Sequence, residues 1–82
     1  MNLREHAVEW IESQPKTATF MVSDLYAHLK MEFPNHCDSE ILTSDGKEPK
    51  WHKDARWALQ DCKSRKTLKH VGSSKSSQWQ RI

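Results

Sequence analysis

Leu3, Ala7, Val8, Trp10 and Ile11 fall in one arc at 100° per residue, while Glu5, Glu9 and Glu12 take the opposite face. The spacing predicts a first helix over Leu3–Ser13, with Asn2 as its N-cap. Gln14-Pro15-Lys16 ends it, and residues 17–22 (TATFMV) are β-branched and aromatic enough for a short strand. Ser23 then offers an N-cap, and Asp24 a favourable first-turn charge, for a second helix over residues 24–33. In that helix Leu25, Tyr26, Leu29 and Phe33 share one arc, and Pro34 stops it. The stretch 35–48 (NHCDSEILTSDGKE) has no clean periodicity. It carries a Ser-Asp-Gly turn signal, and Ile41-Leu42 is its one pair expected to tuck against the core.

The strongest helical pattern comes next. Pro49 suits a first helical position, and Trp51, Ala55, Ala58, Leu59 and Cys62 recur at i, i+4, i+7, i+8 and i+11, predicting a third helix over about residues 50–66. Two strand-like runs, 67–71 and 78–82, flank a Gly/Ser-rich stretch and predict a hairpin with a flexible basic tip. Helix, short strand, helix, helix, hairpin is the element order of a winged helix-turn-helix. The expected fold class is α+β, with three helices and a small three-stranded antiparallel sheet in one domain spanning residues 1–82.

Composition narrows what such a domain can do. Eighty-two residues bury only roughly 60 to 65% of their unfolded surface. A large catalytic cleft, a small-molecule substrate and a cofactor are therefore not expected. Apolar content is low at 35%, yet four Trp, two Phe and one Tyr supply core material. No apolar run approaches the roughly 18 residues of a membrane span, and the N-terminus lacks the layout of a signal peptide. A cytoplasmic protein is expected, nucleoid-associated if bacterial or phage-encoded. Cys37 and Cys62 are too few for a disulfide framework and read as reduced thiols.

The net charge of +2 hides an asymmetry. Residues 1–49 hold four basic against nine acidic side chains, a balance of −5, whereas residues 50–82 hold nine against two, a balance of +7. Such a layout suggests one face that attracts a polyanion and another that repels it. On the third helix Lys53, Arg56, Gln60 and Ser64 lie opposite the apolar arc, with Trp57 at the edge of that face. Arg can pair bidentately with guanine and Gln with adenine, so these residue types suit base-edge readout. Lys63, Arg65, Lys66, Lys69 and Lys75 would contact phosphates from the helix end and the wing. Lys, Arg and Gln also populate any solvated helix face. The charge asymmetry and the element order together favour duplex DNA.

The spacing of Trp51, Ala55-Arg56-Trp57-Ala58-Leu59, Leu68 and Trp79 resembles the winged-helix domain at the N-terminus of Mrr-type restriction endonucleases. The resemblance extends over residues 3–82 and is specific over 51–82. It implies a tryptophan opening the third helix, an Arg-Trp-Ala core, and a tryptophan on the last strand. Cys62 stands where an apolar residue is usual, and the wing lacks the second glycine before Trp79.

Two enzymatic or metal readings are weak. His36, Cys37, His52 and Cys62 fail zinc-ligand spacing. Asp45 with Glu48 and Lys50 imitates a nuclease set, but crowds one turn beside Pro49. The expectation is a non-enzymatic duplex DNA-binding protein, regulatory or associated with restriction or phage. The alternative is a protein-interaction module acting through Trp57 and the exposed side of the second helix. RNA or single strands stay open, as does a homodimer, for which no heptad or extra helix offers an interface.

Overall fold

The computed structural model describes residues 2–73 and 75–82; Met1 and Ser74, the latter in the expected wing tip, lie outside the described residues. Helix α1 spans Leu3–Ser13, as its apolar spacing predicts. A reciprocal cap closes its start. The Asn2 side chain accepts the Glu5 N–H at 2.8 Å, and the Glu5 carboxylate accepts the Asn2 N–H at 3.3 Å, satisfying two orphan donors at once.

Strand β1 is shorter than residues 17–22, running only Thr19–Met21. Thr17 has φ +70°, outside the strand region, and Val22 already begins helix α2, Val22–Glu32. The expected Ser23 cap is therefore a correction: Met21 holds the cap position, and its N–H donates to the Asp24 carboxylate at 2.8 Å. The Asp24 carboxylate thus satisfies the backbone of the cap residue, and no side chain at the cap position accepts a first-turn N–H. Phe33 ends α2, and a single 3-10 turn, Pro34–His36, follows.

Ile41 and Leu42 do not tuck against the core. They are 55% and 47% exposed, and the buried residue of this connection is Cys37. The physical reason is backbone pairing. Leu42 bridges to Pro49, the Thr43 N–H donates to the Glu48 carbonyl at 3.0 Å, and the Lys50 N–H to the Ile41 carbonyl at 2.8 Å. These bonds close residues 41–50 into a small loop ahead of helix α3, with Gly46 at φ +71° in its turn.

Helix α3 spans Lys50–Ser64, starting where expected and ending two residues short, with Pro49 as the extended N-cap and not the first helical residue. Lys66 ends it by entering the left-handed region at φ +62°. The Lys66 N–H bonds the Lys63 carbonyl and the Thr67 N–H the Cys62 carbonyl, both at 3.0 Å, a Schellman closure with lysine where glycine is the unstrained residue.

Strands β2, Leu68–His70, and β3, Gln78–Arg81, form the expected hairpin. β3 is central, in the order β1-β3-β2, both pairings being antiparallel. Phe20 opposite Trp79, and Trp79 opposite His70, put one sheet face on the core, while Thr19, Lys69 and Gln80 share the other. The helices cover the inner face. Leu3, Ala7 and Ile11 of α1 meet Trp51, Ala55, Ala58, Leu59 and Cys62 of α3, with Leu25, Leu29 and Leu68 completing the cluster. The result is a small α+β fold with three α-helices and a three-stranded antiparallel sheet. Among the described residues no helix is long and apolar enough to cross a membrane.

Candidate nucleic-acid interface

Burial of the Trp51, Ala55, Ala58, Cys62 stripe dictates what α3 shows to solvent. A second stripe with the same spacing, shifted by two residues, is Lys53, Trp57, Gln60 and Ser64, and all four are exposed. Trp57 is thus not at the edge of the outward face. It lies one turn from Lys53 and from Gln60, near the middle of that face, and is 46% exposed. The angle was available from the sequence: 57 is six residues beyond Trp51, far round the helix from the buried arc. Lys53, Arg56, Trp57 and Gln60 together line a shallow groove of about 300 Å³.

Positive charge gathers beyond the end of α3. Lys63, Lys66 and Lys69 are exposed, and Lys75 is exposed on the hairpin tip. Among the described residues none of these lysines, nor Lys53, is in a salt bridge. Part of the clustering has a local cause, since cations suit the negative end of the α3 dipole. Lys69 and Lys75 lie beyond the helix, where that cause does not act. The tip, expected to be flexible, carries order of its own. The Ser76 N–H donates to the Ser73 carbonyl at 2.9 Å, the His70 ring contacts the Ser76 carbonyl, and the Val22 N–H donates to the Ser77 carbonyl at 3.0 Å. Gly72 has φ +84°, and a Cβ there would approach the Ser76 side chain to 3.3 Å.

The arginines behave differently. Arg56 is clasped by Glu48, both terminal nitrogens donating to the two carboxylate oxygens. Arg65, expected on phosphate, turns toward α1 and approaches Glu12 at 3.4 Å. Arg4 donates through two nitrogens to Asp61 and lies 5.5 Å from the Trp57 ring centre. Arg81 donates to the backbone carbonyls of Glu12, Thr67 and Ile82 at 3.0, 3.1 and 2.8 Å, tying the end of β3 to α1 and β2. The paired carboxyls titrate accordingly. The hydrogen bonds from Arg56 hold Glu48 below the usual carboxylate range, and those from Arg4 do the same for Asp61.

The pairings of Glu48 with Arg56 and of Arg4 with Asp61 are what sequence reasoning missed. Glu48 precedes Arg56 by eight residues across a non-helical loop, and Arg4 is 57 residues from Asp61, so no local spacing signals either pair.

Aromatic rings buttress the back of the site. Tyr26 stacks on His52 at 4.0 Å between centroids, and Trp51 stands edge-on to His52 at 4.2 Å. Burial pushes the Tyr26 hydroxyl up and the His52 ring down from their ordinary values. Trp51 and Trp79 are core residues, each 6% exposed. Burial also raises the Cys62 thiol to about 11, so the uncharged form prevails near neutrality. His36, Cys37, His52 and Cys62 are not brought together, and among the described residues no group of three or more His, Cys, Asp or Glu could hold a metal ion. The two carboxylates of the Asp45, Glu48, Lys50 set are engaged elsewhere: Asp45 accepts from the Thr43 hydroxyl and the Lys47 N–H, and Glu48 from Arg56. Comparisons with protein families, curated proteins and solved structures return no match.

Proposed function

We propose that this chain is a winged helix-turn-helix domain of the kind its sequence resembles, and that it binds duplex DNA. α3 enters the major groove with Lys53, Trp57, Gln60 and Ser64 toward the bases, and the β2–β3 hairpin follows the backbone as the wing. The observation that carries this reading is the set of exposed lysines that are in no salt bridge among the described residues: Lys53 and Lys63 on α3, Lys66 at its end, and Lys69 and Lys75 on the hairpin. A lysine left unpaired on a protein surface keeps its full attraction for phosphate. Together these lysines concentrate that attraction on α3 and the hairpin that follows it.

The test is a titration with random-sequence duplex at two salt concentrations. With Lys53 toward the bases, the four phosphate contacts of Lys63, Lys66, Lys69 and Lys75 predict a log–log slope near −3.6, roughly a 150-fold loss of affinity between 50 and 200 mM salt. A second reading rests on Trp57, whose half-exposed ring beside Arg4 also suits a protein contact. That reading predicts no tight duplex binding, and a partner affinity that changes little over the same salt range.

A further inference from the structure

Resting on the DNA-binding reading, we propose that Glu48 is the specificity-determining residue of this face: it occupies the end of the Arg56 guanidinium that would read guanine and so holds the domain in a low-discrimination state. The argument begins with the fork itself. A guanidinium reads guanine end-on by aiming two N–H groups at O6 and N7. In this chain the two terminal nitrogens of Arg56 already donate to the two oxygens of Glu48. A guanine and Glu48 compete for the same donors.

The carboxylate competes well because it is charged, bidentate and supplied by the same chain. Its position is set by the loop closure before α3, where the Thr43 N–H binds the Glu48 carbonyl and Leu42 bridges to Pro49. Tyr26, itself stacked on His52, is near enough to Arg56 to favour its charged form. Arg56 nonetheless lines the same groove as Lys53, Trp57 and Gln60. The reader is in place but occupied. What remains free around it is Lys53, a point charge with little base discrimination, and Gln60, whose amide suits adenine and not guanine.

Release of Arg56 should therefore raise affinity selectively at guanine-containing duplexes. The experiment compares the parent with E48Q, R56A, the double variant E48Q/R56A and a charge control, E40Q, each checked for folding by thermal melting. Glu40 is an exposed glutamate of the same connection with no salt bridge, so E40Q removes an equal charge without touching Arg56. Each protein is titrated with a random-sequence duplex rich in G·C and with one containing only A·T. E48Q should tighten binding to the G·C-rich duplex by about tenfold, the worth of one bidentate base contact. On the A·T duplex it should match E40Q, which gains about twofold on both through charge alone. The tenfold gain should vanish in E48Q/R56A, and R56A alone should weaken binding to the G·C-rich and A·T duplexes alike, without selectivity between them.

An E48Q gain no greater than that of E40Q, or one that survives R56A, overturns the proposal while leaving the DNA-binding reading intact. If neither the parent nor E48Q binds either duplex at low salt, both fail. Binding by E48Q with none by the parent supports both.

Discussion

Along the seam between α1 and α3 each positive charge is matched. Arg4 holds Asp61, Arg65 approaches Glu12, and Arg81 spends its guanidinium on backbone carbonyls. On the outward side of α3 and the hairpin, Lys53, Lys63, Lys66, Lys69 and Lys75 have no carboxylate partner among the described residues. The two regions carry the same sign of charge but different chemistry. Arginine, planar and multiply donating, is used where the chain must be tied to itself. Lysine, a hydrated point charge, is left where a polyanion could approach. The N-terminal acidic excess and C-terminal basic excess of the sequence do not map onto two separate faces, because the seam interleaves them.

The comparison breaks first at the lysines. Alanine at Lys63, Lys69 and Lys75 together should weaken random-duplex binding by about 100-fold at moderate salt and flatten the salt slope by roughly three units. The melting temperature should hardly move, since surface changes of this kind stay within about 0.5 kcal/mol each. A loss of affinity with an unchanged slope would assign these lysines to something other than phosphate.

Gly72→Ala should cost about 1 to 2 kcal/mol of stability, measured by denaturant melting. It puts a Cβ into the left-handed region and against Ser76, whose neighbours must then shift. Lys66→Gly works in the opposite direction. It relieves the left-handed lysine at the end of α3 and should stabilise by about 0.5 to 1 kcal/mol while making the salt slope shallower by about one unit. A stabilised protein with an unaltered slope would show that Lys66 makes no phosphate contact.

The seam should give the smallest effect. Arg4→Ala should leave duplex binding and its slope as in the parent, and its influence on melting should depend on pH. The folded Asp61 carboxyl is held below its unfolded value by Arg4, so the pair stabilises above about pH 4 and that contribution is lost as pH falls through the lower folded pKa. Melting of parent and variant should converge in acid, and a gap that widens there would reverse the assignment.

Much of this was legible in the chain as written, because the relevant physics is local. Helical periodicity located α1 to the residue and assigned the buried stripe of α3, since i, i+4 and i+7 are neighbours on any helix. The same arithmetic placed Trp51 in the core, and Trp79 followed from its strand. The Asn2 cap and the excess of positive charge after residue 49 are likewise properties of short segments. What tertiary structure alone decided is who meets whom. The exposure of Ile41 and Leu42 depends on where a loop closes, and the use of Asp24 instead of Ser23 on a chain that passes from strand to helix without a linker. Above all, the division of labour between arginines and lysines hangs on pairs 57, 53 and eight residues apart. Long side chains on separate elements meet only once helix crossing and loop path are set, and no sequence period encodes either.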